Sequence, residues 1–152
     1  MTIRCAEEKD IPGVARLLSE IFRIHADVRP DLFCSDVGRK YSDDELRALF
    51  SDNTRPVFVA CEGDDVVGYV FCIYEGDRAE GRGSLYIDDL CVDATRRGEG
   101  IGKALYDHAV RTAKENGCYR LYLNVWSFNE SAVRFYTRQE MKPLKTYMEK
   151  IL

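Results

Sequence analysis

The chain has 152 residues, 45% of them hydrophobic, 11% aromatic and 32% charged, which is the profile of a folded globular protein and excludes a disordered or fibrous one. At this length one domain spanning 1–152 is expected, with a core large enough to need no disulfide staple. With 22 Lys and Arg against 26 Asp and Glu, a net charge of −4, no nucleic-acid or membrane partner is expected, although a local basic site is not excluded.

No apolar run reaches the length of a transmembrane helix, and Met1-Thr2-Ile3-Arg4 leads directly into acidic residues, so no signal peptide is predicted. Cys5, Cys34, Cys61, Cys72, Cys91 and Cys118 are scattered without a Cys-x-x-Cys pair. Most sit in apolar runs, where a free thiol serves as a small hydrophobe. Only His25 and His108 stand beside them as further metal ligands. A reduced, metal-free, cytoplasmic protein is expected.

Thr2 to Ala6 reads as a short strand. Asp10 is placed as an N-cap, followed by Pro12 in the first helical turn and one apolar stripe of Ile11, Val14, Leu17, Leu18, Ile21 and Phe22. From Ile24 to Tyr41 the period lapses around His25, Arg29-Pro30-Asp31 and Gly38, which predicts a long irregular segment of the sort that lines binding sites. Ser42-Asp43-Asp44-Glu45 is a capping box opening a short helix with Leu46, Leu49 and Phe50 inward. Val57 to Cys61 and Val66 to Tyr74, parted by Gly63-Asp64-Asp65, predict a hairpin. A glycine-rich link from Gly76 to Gly83 leads to a third apolar run, Leu85 to Val92. Then come a helix from about Gly100 to Asn116, a strand from Tyr119 to Val125, and a helix capped by Asn129 that carries Ala132, Val133, Phe135 and Tyr136. A last strand is expected at Leu144 to Leu152, closing the sheet.

The stretch Asp93-Ala94-Thr95-Arg96-Arg97-Gly98-Glu99-Gly100-Ile101-Gly102-Lys103 lies between a predicted strand and a predicted helix. Glycines there let a ligand approach the backbone, and the N–H groups and helix dipole favour bound phosphate. Gly102-Lys103 is followed by Ala104, so the hydroxyl that a P-loop offers to magnesium is missing. Gly98, Gly100 and Gly102 also stand too close together for a dinucleotide fingerprint. Arg97 to Gly102 reads instead as Arg-x-x-Gly-x-Gly; a tight turn with no ligand is the bland alternative.

Followed by a helix, a strand and the Asn-x-x-Ala-x-x-Phe-Tyr run from Asn129 to Tyr136, this motif resembles the GNAT superfamily of acyl-CoA-dependent N-acetyltransferases. The resemblance extends over essentially the whole chain, with its specific part at Leu85 to Tyr136. It implies an α/β (α+β) fold with a mixed, mostly antiparallel sheet flanked by helices, splayed between the strands at Leu85–Val92 and Tyr119–Val125. Acetyl-CoA is the implied cosubstrate, with no metal. Backbone groups of Leu90, Cys91 and Val92 would pair with its pantetheine arm, and those of Arg97, Gly98, Glu99, Gly100, Ile101, Gly102 and Lys103 would hold its pyrophosphate. Asn129 would contact the arm, and Tyr136 would lie near the thioester sulfur. The family usually has Gly and an apolar or aromatic residue where this chain has Glu140 and Met141. Glu is strained in the positive-φ turn that Gly suits, so this helix is expected to end differently or to shift register.

Acetyl transfer needs a neutral amine, and an alkyl ammonium of pKa about 10.4 has only about one molecule in two thousand deprotonated at pH 7. A carboxylate that holds the ammonium and takes its proton answers that need. Asp88 and Asp89 supply two acids in the run Tyr86 to Val92. Strand alternation turns them to opposite faces unless a bulge intervenes. The pair resembles the spermidine/spermine acetyltransferase branch, which makes the first acid the proton acceptor and the second a polyamine contact. Tyr136, with a phenol pKa of about 10 against about 8.5 for a thiol, suits a hydrogen bond to the leaving sulfur that strengthens as charge develops. His25 is read as a pocket or surface residue of an irregular loop, and His108 as a packing residue. Tyr41, Tyr69 and Tyr74 are read as acceptor contacts or packing.

The function implied is direct attack of a primary amine on the thioester, with a small cationic amine favoured as acceptor and a homodimer left open. A protein or peptide amine, or a non-catalytic acyl-CoA sensor, are the alternatives.

Overall fold

A computed structural model describes residues 1–152. Five strands form one sheet in the order β1 (Thr2–Cys5), β2 (Val57–Glu62), β3 (Asp65–Asp77), β4 (Arg82–Val92) and β5 (Cys118–Leu123). The first four are antiparallel neighbours, joined beyond β1 by short turns. β5 runs parallel to β4, because the chain must first cross over through α3 (Ile101–Glu115) to return to the same end of the sheet.

Helices cover both faces, so successive strand residues are apolar on both sides. On one face α1 (Ile11–Val28) and α2 (Asp43–Phe50) bring Val14, Leu17, Leu18, Leu46 and Leu49 against Val57, Val59, Tyr69, Phe71 and Cys91. On the other, Ile101, Leu105 and Ala109 of α3 meet Phe58, Ala60, Val70, Cys72, Leu85 and Ile87. Phe135 and Tyr136 of α4 (Glu130–Arg138) pack at the edge of this second layer. The Ser42–Glu45 capping box forms as expected, and Glu45 N–H donates to the Ser42 hydroxyl at 3.2 Å. His108 stacks edge-on against Phe58 at 4.5 Å, the packing role read for it.

Four expectations are corrected. The apolar stripe of α1 does not stop at Phe22: the helix runs to Val28 and carries His25, and the irregular segment begins only at Arg29, whose successor Pro30 disfavours a helical residue before it. Asp10 makes no cap bond to α1. Its buried carboxylate instead takes both arms of Arg4 at 2.7 and 2.9 Å and the Glu7 N–H at 2.8 Å, tying β1 to the turn before α1. The link from Gly76 to Gly83 shrinks to a tight turn at 78–81, since β3 and β4 stay paired out to Asp77 and Arg82.

The C-terminal residues from Lys142 onward form no strand. Pro143 removes a donor at the start of that segment, and either face of an extended chain there would carry charge, Lys150 on one and Lys145 with Glu149 on the other. Leu144, Tyr147, Met148, Ile151 and Leu152 are left exposed. The segment's side-chain tether is the ion pair of Glu149 with Arg29. No helix is long and apolar enough to cross a membrane. All six cysteines are free, with Cys61, Cys72 and Cys91 buried and Cys5 and Cys34 exposed.

Candidate active site

β4 and β5 pair from Gly83 opposite Cys118, through a register shift before Ser84, to Ile87 opposite Leu123, and there the pairing ends. β4 continues along β3 as far as Val92 opposite Gly68, so Asp88 to Val92 has a strand on one side and none on the other. The Asp93 N–H donates to the Val67 carbonyl of β3 at 3.0 Å. By alternation the amides of Leu90 and Val92 face the vacated side. The splay expected from the sequence is present, and Cys91 turns its side chain away from it into the α1 layer beside Tyr69.

At the mouth of this wedge the Asp93 carboxylate accepts from the Thr95 N–H and hydroxyl at 2.9 and 2.7 Å and from Arg16 at 2.7 Å, contacts that hold it down at about 2. Gly98 and Gly100 follow at φ of 85° and 81°, a region that side chains resist. Gly100 is the N-cap of α3. None of the backbone N–H groups from Gly98 to Lys103 finds an acceptor within the protein, so six consecutive donors and the positive end of a helix face outward together. A Cβ on Gly100 would meet nothing, and one on Gly102 only Val92 and Phe135 at ordinary contact. The cations are unequal. Arg96 is held by Glu62 and Glu99, and Lys103 by Asp107, whereas Arg97 has no acidic partner and reaches only the Val92 carbonyl.

α4 packs Tyr136 beside Tyr106 and Phe135 at the edge of the α3 layer, within range of the Asp89 charge. The Tyr136 hydroxyl makes no hydrogen bond within the protein and is not sealed from solvent. Burial first, and the Asp89 charge second, push the phenol well above its ordinary range. Asn129 caps α4, its side-chain oxygen accepting from the Ala132 N–H at 3.2 Å. The helix neither ends differently nor shifts register, against expectation: the Glu140 N–H reaches the Thr137 carbonyl at 3.0 Å and the Met141 N–H the Tyr136 carbonyl at 3.2 Å. This is the pair of bonds that closes a Schellman turn. Glu140 takes the left-handed position at φ 62°, the single non-glycine residue to do so, and Met141 packs against the α3 layer.

The acid pair is arranged by a bulge. Phe71 of β3 faces Asp89 and Cys72 faces Ile87, leaving Asp88 as the unpaired residue. Alternation is broken there, and both carboxylates reach hydroxyls that flank Phe71 on the α1 side. Tyr41, stacked on Phe71 at 5.5 Å, donates to Asp88 Oδ2 at 2.7 Å. Tyr69, edge-on to Phe71 at 5.0 Å, donates to Asp89 Oδ2 at 3.2 Å. Burial pushes the Asp89 carboxyl up to about 6, against the opposing pull of the Lys40 charge and the Tyr69 bond. Lys40 Nζ lies 2.9 Å from Asp88 Oδ2. Tyr74 stands apart from these groups, under the Arg78 guanidinium at 4.0 Å.

An aromatic wall absent from the sequence reading joins α1 to the segment after β5. His25 lies 5.0 Å from Phe33 and 5.8 Å from Phe128, and Trp126 stacks on Phe128 at 5.5 Å and meets Phe33 at 5.3 Å. Burial, helped by Lys40, lowers the His25 pKa, and its Nε2 is the one buried side-chain polar atom with no partner. Lys40, Phe33, Trp126 and Phe128 all come from segments without periodicity. The available signal was the number of large aromatics in two predicted loops, which need a partner or a ligand to be kept from water. His, Cys, Asp and Glu side chains nowhere gather in threes at a spacing that would hold a metal ion.

Residues 18–141 match the Acetyltransferase (GNAT) family. The chain belongs to that family. Thialysine N-epsilon-acetyltransferase of Sus scrofa is 31% identical over 147 residues, covering 88% of this chain and 79% of that protein. Spermine/spermidine N(1)-acetyltransferase of Bacillus subtilis is 34% identical over 92 residues, covering 55% of this chain and 57% of that one. The chain spans about half the length of several curated relatives it matches. Among solved structures, the tetramutant of the BH1408 protein from Bacillus halodurans superposes with a TM-score of 0.89 at 31% identity, each chain covered in full. The sheet, its flanking helices and the wedge are thus a GNAT fold, and the family is one of acetyl-CoA-dependent N-acetyltransferases.

Proposed function

We propose that this GNAT protein transfers the acetyl group of acetyl-CoA to a primary amine of a small cationic molecule. The observation that carries the reading is the bulge at Asp88, which sets two carboxylates on one face where β4 leaves β5. Acetyl-CoA supplies an activated thioester. The open amides of Leu90 and Val92 suit its extended arm, and the six free N–H groups from Gly98 to Lys103, with Arg97 beside them, suit its phosphates. The relatives that act on spermine, spermidine or thialysine support a small amine as acceptor.

The acids divide the work by environment. Asp88, in reach of a cation and a phenol, holds the incoming ammonium. Asp89, lifted to about 6 by burial, is matched to accepting a proton near neutral pH. This exchanges the roles that the resemblance implied for the two residues. Tyr136 donates to the sulfur as charge develops on it, its hydroxyl having no competing partner in the protein. The wall of Phe33, Trp126 and Phe128 covers the acceptor's carbon chain.

Release of CoA thiol from acetyl-CoA, measured over a panel of monoamines, diamines, aminoacyl compounds and peptides, tests this reading. Turnover is expected with small cationic amines above peptides. A chain that binds acetyl-CoA yet turns over no member of the panel would be a sensor rather than an enzyme, and preference for peptides would move the acceptor to a protein amine.

A further inference from the structure

Lys40 has no counterpart among the roles assigned so far, yet it stands at the centre of the site. Its ammonium lies 2.9 Å from Asp88 Oδ2 and 3.4 Å from the Asp88 carbonyl oxygen. Both acceptors belong to the bulged residue at which β4 parts from β5. A primary ammonium held by that carboxylate is what the acetyl-transfer reading expects of the acceptor, and here the chain supplies one itself. The contact is not a strong structural tie. The lysine side chain is 41% exposed against 15% for Asp88, and an ion pair whose cation stands open to water is readily exchanged for solvent. Lys40 also hangs from the irregular segment between α1 and α2, on four flexible methylenes that let its amine reach or leave the site.

We propose that Lys40 is a self-acetylation site, which takes the acetyl group from acetyl-CoA bound to the same chain when no acceptor competes. The inference rests on the acetyl-transfer reading. One ammonium proton passes to the acid pair and on to water. The Nζ lone pair forms a C–N bond to the thioester carbonyl carbon, the C–S bond breaks, and the departing thiolate takes the second proton. The products are an acetyl-lysine amide and CoA thiol. The amide carries no charge, so it releases Asp88 and leaves that carboxylate to an incoming ammonium.

The test uses the full chain and acetyl-CoA carrying a deuterated acetyl group, without added amine, and follows each lysine by peptide mass mapping. Lys40 is expected to label about tenfold or more faster than exposed Lys9 and Lys145, because its amine is already positioned. The rate constant should not depend on protein concentration, and a turned-over amine should slow it. Lys40→Gln, which imitates the product, should lower the KM of a cationic amine by about two- to fivefold, the range for releasing one partly exposed ion pair. Acetyl-CoA binding by calorimetry and amine turnover are read on the same sample. A chain that binds acetyl-CoA and acetylates added amine but labels Lys40 no faster than Lys9 overturns self-acetylation alone. Labelling that rises with protein concentration overturns transfer within the chain. Absence of acetyl-CoA binding overturns both this inference and the reading beneath it.

Discussion

In the proposed reaction, Asp89 carries opposite consequences for stability and for catalysis. Its carboxyl is raised to about 6 in the folded protein, against about 3.9 in an unfolded chain. The native state therefore binds that proton more tightly, and charging the group costs folding energy as pH rises through 4 to 6. Asp89→Asn should raise the melting temperature at pH 8, with the gain fading to nothing below about pH 4. A lower Tm at pH 8 would mean the carboxylate is structural. The same variant should lose about a hundredfold or more in kcat/KM at pH 7 and flatten the acid limb of the pH–rate profile near 6. Tyr136 is the complementary case. Its hydroxyl has no partner in the protein, so Tyr136→Phe should leave the fold and the acetyl-CoA Kd unchanged while turnover falls about ten- to a hundred-and-fifty-fold, the worth of one hydrogen bond to a charged group. Pre-steady-state rates of the acetyl-transfer step read this directly, and wild-type rates would return the residue to packing.

Among the elements, α4 and its closing turn show where sequence patterns speak and where they fall silent. The Asn129 cap, the Ala132–Tyr136 stripe and the glycine turn before α3 were all legible, since each depends on local chemistry at fixed spacing. Glu140 was legible as a conflict but not in its outcome. Packing of Met141 against the α3 layer holds the Schellman turn in place and leaves Glu140 left-handed at φ 62°. That conformation costs about 1–2 kcal/mol for a residue with a Cβ, part of which glycine gives back through its freer unfolded state. Glu140→Gly should thus stabilise by about 0.5–1 kcal/mol and raise Tm by roughly 1–3 °C. An unchanged or lower Tm would show that the Glu side chain returns the cost elsewhere. What the sequence did not reveal is of another kind. The bulge at Asp88 is a register slip against β3, the position of Lys40 is set by a segment with no period, and the aromatic wall joins α1 to residues about a hundred positions away. Contacts of that sort leave no local signature, and the extension of α1 to Val28 was hidden because His25 interrupts an apolar stripe without interrupting the helix.

At the scale of the molecule, the wedge divides the sheet unequally. β5 is joined to β4 by five register pairs, Gly83 with Cys118 to Ile87 with Leu123, and the rest of β4 is held from one side. A ligand that bridges the open part joins the α1–α2 layer to the α3–α4 layer and binds only the folded state. Acetyl-CoA at about 100 times its Kd should add about 2.7 kcal/mol, lifting Tm by roughly 5–10 °C; a Tm indifferent to millimolar acetyl-CoA would mean that the folded chain does not bind it. The cysteines add a practical consequence. Burial pushes the Cys72 and Cys91 thiols up to about 12, and Cys61 is buried with them, while Cys5 and Cys34 stand open to solvent. A colorimetric disulfide reagent used to follow CoA release will therefore also titrate Cys5 and Cys34 in a prompt initial jump and the half-buried Cys118 more slowly, which prior alkylation of those three removes. The three buried thiols then stay silent until the sheet comes apart, so the same reagent, added to alkylated protein under denaturant, becomes a clock for global opening.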